Sequence, residues 1–189
     1  MTSKAELPTW GIDLVHSSVG FTVRHLVVSK VRGKFTRWSG TILMDEHDLT
    51  GAEVDIAIEL ASVDTGAEQR DSHLRSADFF DVEKFPAMTF KSTRVEKASD
   101  SVLSLHGNLS LHGVTRPVTL AVEYAGTQKD PWGGFRAGFS ARASLNRKDF
   151  GLTWNQLLET GGVAVGEKVD IDIEIEAVKQ VPAAAGAGA

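Results

Sequence analysis

The sequence has no cysteine in its 189 residues. That excludes disulfide staples, a thiolate nucleophile and a cysteine-ligated metal. No window approaches the ~20 consecutive apolar residues needed for a membrane-spanning helix, so no integral membrane segment is expected. The opening residues, MTSKAELPTW, hold no apolar core of a secretory signal, and a cytoplasmic location is the expectation that follows. An excess of positive charge is also missing. Lys and Arg number 20 against 25 Asp and Glu, for a net charge of -5 and a pI near 5.7. Nucleic acid is therefore not an expected partner, and anionic membrane surfaces are disfavoured on the same ground. Helical periodicity is scarce, with two short stretches that break an otherwise two-residue rhythm.

That rhythm carries most of the chain. Val19, Phe21 and Val23 fall on one face with Thr22 and Arg24 opposite. Residues 25–32 read as an apolar, unpatterned connection, and 35–44 as one strand bent at Gly40. Alternation returns at 54–60 and 88–91, then with Leu103, Leu105, Leu109 and Leu111, and with Val118, Leu120, Val122 and Tyr124. Phe135, Ala137, Phe139, Ala141, Ala143 and Leu145 share a face, as do Val169, Ile171, Ile173 and Ile175. About eight strands result, each apolar on one side and charged on the other. A sheet wet on one face must bury the other, and there is too little helix to cover it. The expected fold is therefore all-β, a single antiparallel eight-stranded barrel with one or two short helices. Its domain should run over 10–181, after an N-terminal extension (1–9) and before an Ala/Gly tail (182–189) too small in side chain to order itself.

The stretch 65–92 interrupts the strands. Thr65 and Glu68 have capping-box spacing for a helix over 66–76. Phe79, Phe80, Val82 and Phe85 follow as an aromatic cluster ended by Pro86. A charged helix and a cluster that must be buried suggest a plug over a barrel mouth. A second insert, 147–162, holds Phe150, Trp154, Leu157 and Leu158. Ala137, Ala141 and Ala143, with Gly107 on another strand, are small at inward places. They either leave a cavity or make room for the plug's aromatics. An eight-stranded barrel is the size that holds side chains or one small ligand.

These residues resemble a known family. Asp13-x-x-His16-Ser17-x-Val19-x-Phe21-x-Val23-x-His25, then Gly33-x-Phe35, is similar to the opening of YceI-like proteins. So is the segment from Thr65 through Arg70-Asp71-x-His73-Leu74, Asp78-Phe79-Phe80-Asp81 and Phe85-Pro86 to Phe90-x-Ser92. Gly107-x-Leu109-x-Leu111-His112-Gly113-Val114-Thr115-Arg116-Pro117-Val118 and Arg147-x-x-Phe150-Gly151 complete the pattern in order. The resemblance implies an extended lipocalin-like barrel enclosing the long chain of an isoprenoid quinone or polyprenyl lipid. Many members are periplasmic, from which the lack of a signal departs.

The expected role is thus a non-enzymatic carrier whose only partner of defined chemistry is an isoprenoid lipid or similar long amphiphile. No cofactor is expected besides that ligand, and a homodimer is left open. Candidate ligand-binding residues are Phe21, Val23, Phe90, Leu105, Leu120, Phe139, Ala141 and Ile173 on the inner face, with Phe79, Phe80 and Trp154 at the closures. Two alternatives stay open: a hydrolase or isomerase acting in the same cavity, and a stress-related interaction module with a filled barrel. Arg70, Asp71 and His73 are read as ties and caps for the plug helix, since adjacent helical residues diverge. His16 with His25, and His106 with His112, lack zinc-site spacing, so no metal ligand is expected. Asp13, His16 and Ser17 come without a nucleophile elbow.

Overall fold

The computed structural model describes residues 7–26, 28–159 and 161–180. Its strands are β1 (Thr9–Ile12), β2 (Ser18–His25), β3 (Ser29–Phe35), β4 (Trp38–Asp45), β5 (Asp48–Glu59), β6 (Val63–Asp64), β7 (Ala87–Lys97), β8 (Val102–Leu111), β9 (Val114–Lys129), β10 (Phe135–Asn146) and β11 (Val165–Lys179). One α-helix, α1 (Glu68–Arg75), and two 3-10 turns, Leu60–Ser62 and Arg147–Phe150, complete the set. All named strand pairs are antiparallel. The order β1-β4-β5-β7-β8-β9-β10-β11 closes on itself through β1–β11, and β2, β3 and β6 continue outward from β11. Eight strands thus form the ring. The last strand serves two neighbours, β1 over Ala177–Lys179 and β2 over 165–174. Closure pairs the ring strands round the barrel and leaves the free edge to the β2–β3–β6 extension.

Two expectations about β3 and β4 differ from the structure. Residues 29–35 form a strand in which Val31, Gly33 and Phe35 alternate with Lys30, Arg32 and Lys34. Leu26 and Val28 before it lie at a hairpin tip, and the apolar run hides that alternation when the segment is read as one piece. Residues 35–44 are two strands, with a turn at Thr36 and Arg37. Phe35 and Trp38 both point to the core, which a continuous strand cannot do with three residues of separation. The turn is held by Thr36 N donating to Ser62 O (3.1 Å) and Glu59 N to Arg37 O (3.0 Å). Gly40 marks no bend. A Cβ there would lie 2.2 Å from Ile56 Cδ1, so the glycine admits a side chain of the neighbouring strand.

The helix is shorter than expected and capped differently. It starts after Ala67, without a side-chain cap. Asp71 instead reaches back from inside the helix: its buried carboxylate accepts from Thr65 N (2.9 Å) and Thr65 Oγ1 (2.6 Å). Arg70 donates to Thr65 Oγ1 (2.7 Å) and Thr65 O (3.0 Å), and Arg75 to Ala61 O (3.0 Å) and Val63 O (3.3 Å). Every one of these bonds ties the helix to the chain entering it. Asp71→Ala strands two donors, so a loss of ~1–3 kcal/mol is expected by thermal or urea unfolding, with ligand stoichiometry unchanged because Asp71 lines neither of the two chambers described below.

The N-terminal extension is described only from Leu7, and the 182–189 tail lies outside the described residues.

Candidate functional site

The inward faces of the ring enclose a cavity of about 170 Å³ whose lining side chains are all apolar. Phe90, Leu105, Leu120, Phe139, Ala141 and Ile173 are on its wall. A second chamber of about 290 Å³ lies at the end bearing α1 and the 151–164 segment. Phe21, Val23, Phe79, Phe80 and Trp154 line it. Met88, Leu145 and Ile171 line both chambers and form the neck between them. None of those three was singled out from the sequence, although each continues an inward alternation read there. Water has no side-chain partner on the wall of the first chamber. An apolar cavity of about 150 Å³ stays dry and admits a benzene ring, so these chambers accept short lengths of hydrocarbon as they stand.

The small residues divide into two groups. Ala141 and Ala143 do face the lumen. Ala137 does not: it is packed with Trp10, Met44 and Ala177 in a cluster that seals the far end. Trp10 is fully buried and donates from Nε1 to Met44 O at 3.2 Å. The space over Gly107 is filled as well, because a Cβ there would lie 2.3 Å from Phe90 Cζ. That glycine makes room for a ring on the next strand.

The chamber at the α1 end is closed by aromatics. His73 meets Trp154 edge-on at 4.6 Å and Phe79 at 5.0 Å between ring centroids, and Phe79 and Trp154 are 5.2 Å apart. His73 Nε2 is 2.8 Å from Asp78 Oδ2, which fixes the imidazole. Phe80 continues the row through Phe35 at 6.0 Å and on to Phe21 at 5.6 Å. Phe85, grouped with these in the sequence, lies elsewhere: it packs on His112 at 4.8 Å and over Gly113.

Polar groups on this chamber are Arg24, His25, Arg70, His73, Arg147 and Gln156, with no carboxylate in its lining. Arg147 is buried, 5% exposed. It donates from Nε to Gly166 O (2.9 Å), from one terminal nitrogen to Leu152 O (2.6 Å) and Trp154 O (2.9 Å), and from the other to Val165 O (3.3 Å). One guanidinium thus staples both ends of the 151–164 segment across the mouth. The sequence offers Arg147 only as part of a motif, since its partners are carbonyls that no side-chain pattern announces.

A further cluster sits outside the lumen. Asp13, His16 and Glu176 bring ligand atoms within 4.8 Å of one another. Arg136 already holds the centre, donating to Asp13 Oδ2 at 2.9 Å, to Asp130 Oδ2 at 3.1 Å and to Glu176. Its hydrogen bonds with His16 and Arg136 lower the Asp13 carboxyl to about 2, and the same Asp13 raises the His16 imidazole above its ordinary value. This arrangement pins the loop between β1 and β2.

A closed antiparallel barrel with an apolar lumen and a polar mouth is a lipocalin-like binding barrel. The description of the YceI-like domain matches residues 10–177. Protein YceI of Salmonella newport is 42% identical over 165 residues, covering 87% of this chain and 83% of its own. A UPF0312 protein of Vibrio vulnificus is 36% identical over the same shares. The crystal structure of a Campylobacter jejuni YceI protein superposes with a TM-score of 0.74 at 31% identity, covering 84% of this chain and 90% of that one. The polyisoprenoid-binding domain of Saccharophagus degradans shares the fold, with a TM-score of 0.67 at 18% identity over 92% of this chain and 99% of that one. The chain belongs to the YceI-like family.

Proposed function

We propose that this protein is a non-enzymatic carrier that encloses the apolar chain of an isoprenoid lipid, a quinone or polyprenyl derivative, with its headgroup at the α1 end. The observation that carries the proposal is the wall of the inner chamber, which is apolar throughout, with the polar side chains gathered on the outer one. The Saccharophagus degradans domain of the same fold is described as polyisoprenoid-binding, which agrees with that reading. Each ~100 Å² of hydrocarbon removed from water contributes ~2.5 kcal/mol. Ordering the chain and losing its overall freedom offset much of this. Branched isoprene units suit a wall of Ile, Val and Leu, and the two chambers with their neck suit a linear chain over a compact ligand. Chains longer than a few isoprene units must rotate Met88 or Leu145 aside, because these side chains form the neck and the inner chamber, at about 170 Å³, is little larger than a cavity for one small ring. Arg24, Arg70, His25 and Gln156 are placed to meet a carbonyl, hydroxyl or phosphate.

Native mass spectrometry of protein purified without detergent tests this. Isoprenoid bound at one per chain is the expected result. Empty protein that also fails to take up a quinone or polyprenol added in detergent would remove the proposal.

A further inference from the structure

A net charge of -5 conceals a sharp local imbalance. Between Asp13 and Asp45 the sequence has no acidic residue, while it carries Arg24, Lys30, Arg32, Lys34 and Arg37. In the structure this stretch includes the β2–β3 hairpin, where Arg24 stands opposite Lys30 and Thr22 opposite Arg32. Arg37 is spent on Glu59 at 2.7 Å, and Lys34 stands opposite Asp64. Neither Lys30 nor Arg32 forms a salt bridge among the described residues, although Lys30 lies near enough to Asp170 to help lower its carboxyl pKa. The carboxylates of neighbouring β11 are taken already: Glu167 by Lys148 (2.5 Å), Asp170 by Lys168 (3.0 Å) and Asp172 by Arg142 (3.5 Å).

The same hairpin ends in an apolar tip. Val28 is 86% exposed and Leu26 40%. Leu26 is held at φ 52°, a conformation that glycine or asparagine adopts at lower cost than a bulky side chain. Beside it stands a second tip, bridged between Leu157 and Val163, with Leu157 82% exposed. Leu26 N donates to Ala164 O at 2.9 Å and locks the two tips side by side. Glu159 is the one carboxylate on them. Residues just behind both tips, Val23, Arg24, His25, Gln156, Ala164 and Val165, line the outer chamber. The exposed apolar residues therefore surround the mouth and the cations flank it.

From this juxtaposition we infer that the paired tips dock onto an anionic lipid bilayer, inserting Val28 and Leu157 between headgroups while Lys30 and Arg32 meet the phosphates. Small apolar insertions and a few cations give weak, reversible attachment, each reinforcing the other. That is what loading and release at a membrane require. Docking itself does not depend on the ligand's identity, whereas its use in exchanging an isoprenoid between bilayer and lumen rests on the carrier reading above.

Sedimentation of the full chain with vesicles of phosphatidylcholine, with and without phosphatidylglycerol, tests it. The protein is expected to pellet with the phosphatidylglycerol vesicles at low salt and to be released as salt rises. K30Q/R32Q should lower partitioning by ~25-fold, at about five-fold for each cation, and V28D/L157D should abolish it. All four side chains are exposed, so both variants should melt as wild type. Failure to pellet, or variants that pellet like wild type, overturns the inference. So does a dimer on gel filtration that V28D/L157D converts to monomer while vesicles leave the wild type in solution, since the face would then join two copies of this chain. Uptake of a polyprenol from detergent separates the two claims. Uptake without vesicle binding sinks docking alone, and vesicle binding without uptake supports docking and sinks the exchange role.

Discussion

Arg147→Met is expected to release the 151–164 segment from the barrel mouth and to cost ~3 kcal/mol or more. Methionine keeps the apolar stem and length but removes every donor. Four backbone carbonyls, those of Leu152, Trp154, Val165 and Gly166, then lose their shared partner. A buried acceptor left unsatisfied costs ~1–3 kcal/mol, and the segment will move to let water reach some of them. The ring is held by strand ladders that do not involve Arg147, so the loss should be local. Far-UV circular dichroism should stay that of a β-barrel. Hydrogen exchange should quicken at Val165 and Ala164, whose amides bond to Asn155 and Gln156 across the segment. Trp154, sharing its packing with His73 and Phe79, should turn toward water and shift its fluorescence to the red. Arg147→Lys should behave nearly as badly, because one ammonium cannot span four acceptors as the planar fork does. Global unfolding at the same rate across all strands would show that the staple holds the barrel and not its mouth.

What the amino-acid order revealed, and what it hid, follows the range of the interactions. The ring was legible because each wall repeats one short-range rule, apolar in and polar out, as in Val169 to Ile175 against Asp170 to Glu174. From that rule the positions of Phe90, Leu105, Leu120, Phe139, Ala141 and Ile173 on one inner surface follow, and so does the placement of Phe21 and Val23 one strand on. Local exceptions misled. The tip residues Leu26 and Val28 blurred the start of β3, and a capping-box pattern at Thr65 and Glu68 concealed that Asp71 is the residue serving Thr65. Inward small residues were ambiguous for a different reason. Whether Ala137, Ala141 or Gly107 leaves a void depends on which side chains of nearby strands reach over it: the Trp10 cluster for Ala137, Phe90 for Gly107, open lumen for Ala141. Contacts such as Arg136 with Asp13, far apart in the chain, or Arg147 with backbone carbonyls, leave no local trace at all.

The difference between Ala137 and Ala141 makes the lumen itself testable. Ala141 sits in register with Val122 on β9 and Ile173 on β11, and its methyl faces the cavity of about 170 Å³. A bicyclic indole is larger than the benzene ring that a cavity of about 150 Å³ admits, so Ala141→Trp should occupy that space almost completely. Two quantities then move in different ways. Overpacking a filled core costs ~1–3 kcal/mol, whereas an indole entering a void gains contacts and covers apolar wall, so stability should fall by less than ~1 kcal/mol or rise. Binding should fall steeply. An isoprenoid denied ~100 Å² of enclosure loses ~2.5 kcal/mol, about sixty-fold in affinity. Thermal melts and titration with a fluorescent polyprenyl probe measure the two together. Ala137→Trp is the companion experiment: that site is packed against Trp10, so it should unfold the sealed end and lose several kcal/mol. If Ala141→Trp destabilises as much as Ala137→Trp, the barrel is filled and the carrier reading fails. If it melts like wild type and still takes up the probe with undiminished affinity, the ligand resides wholly in the outer chamber beneath Trp154, and the ring beyond Met88 is scaffold.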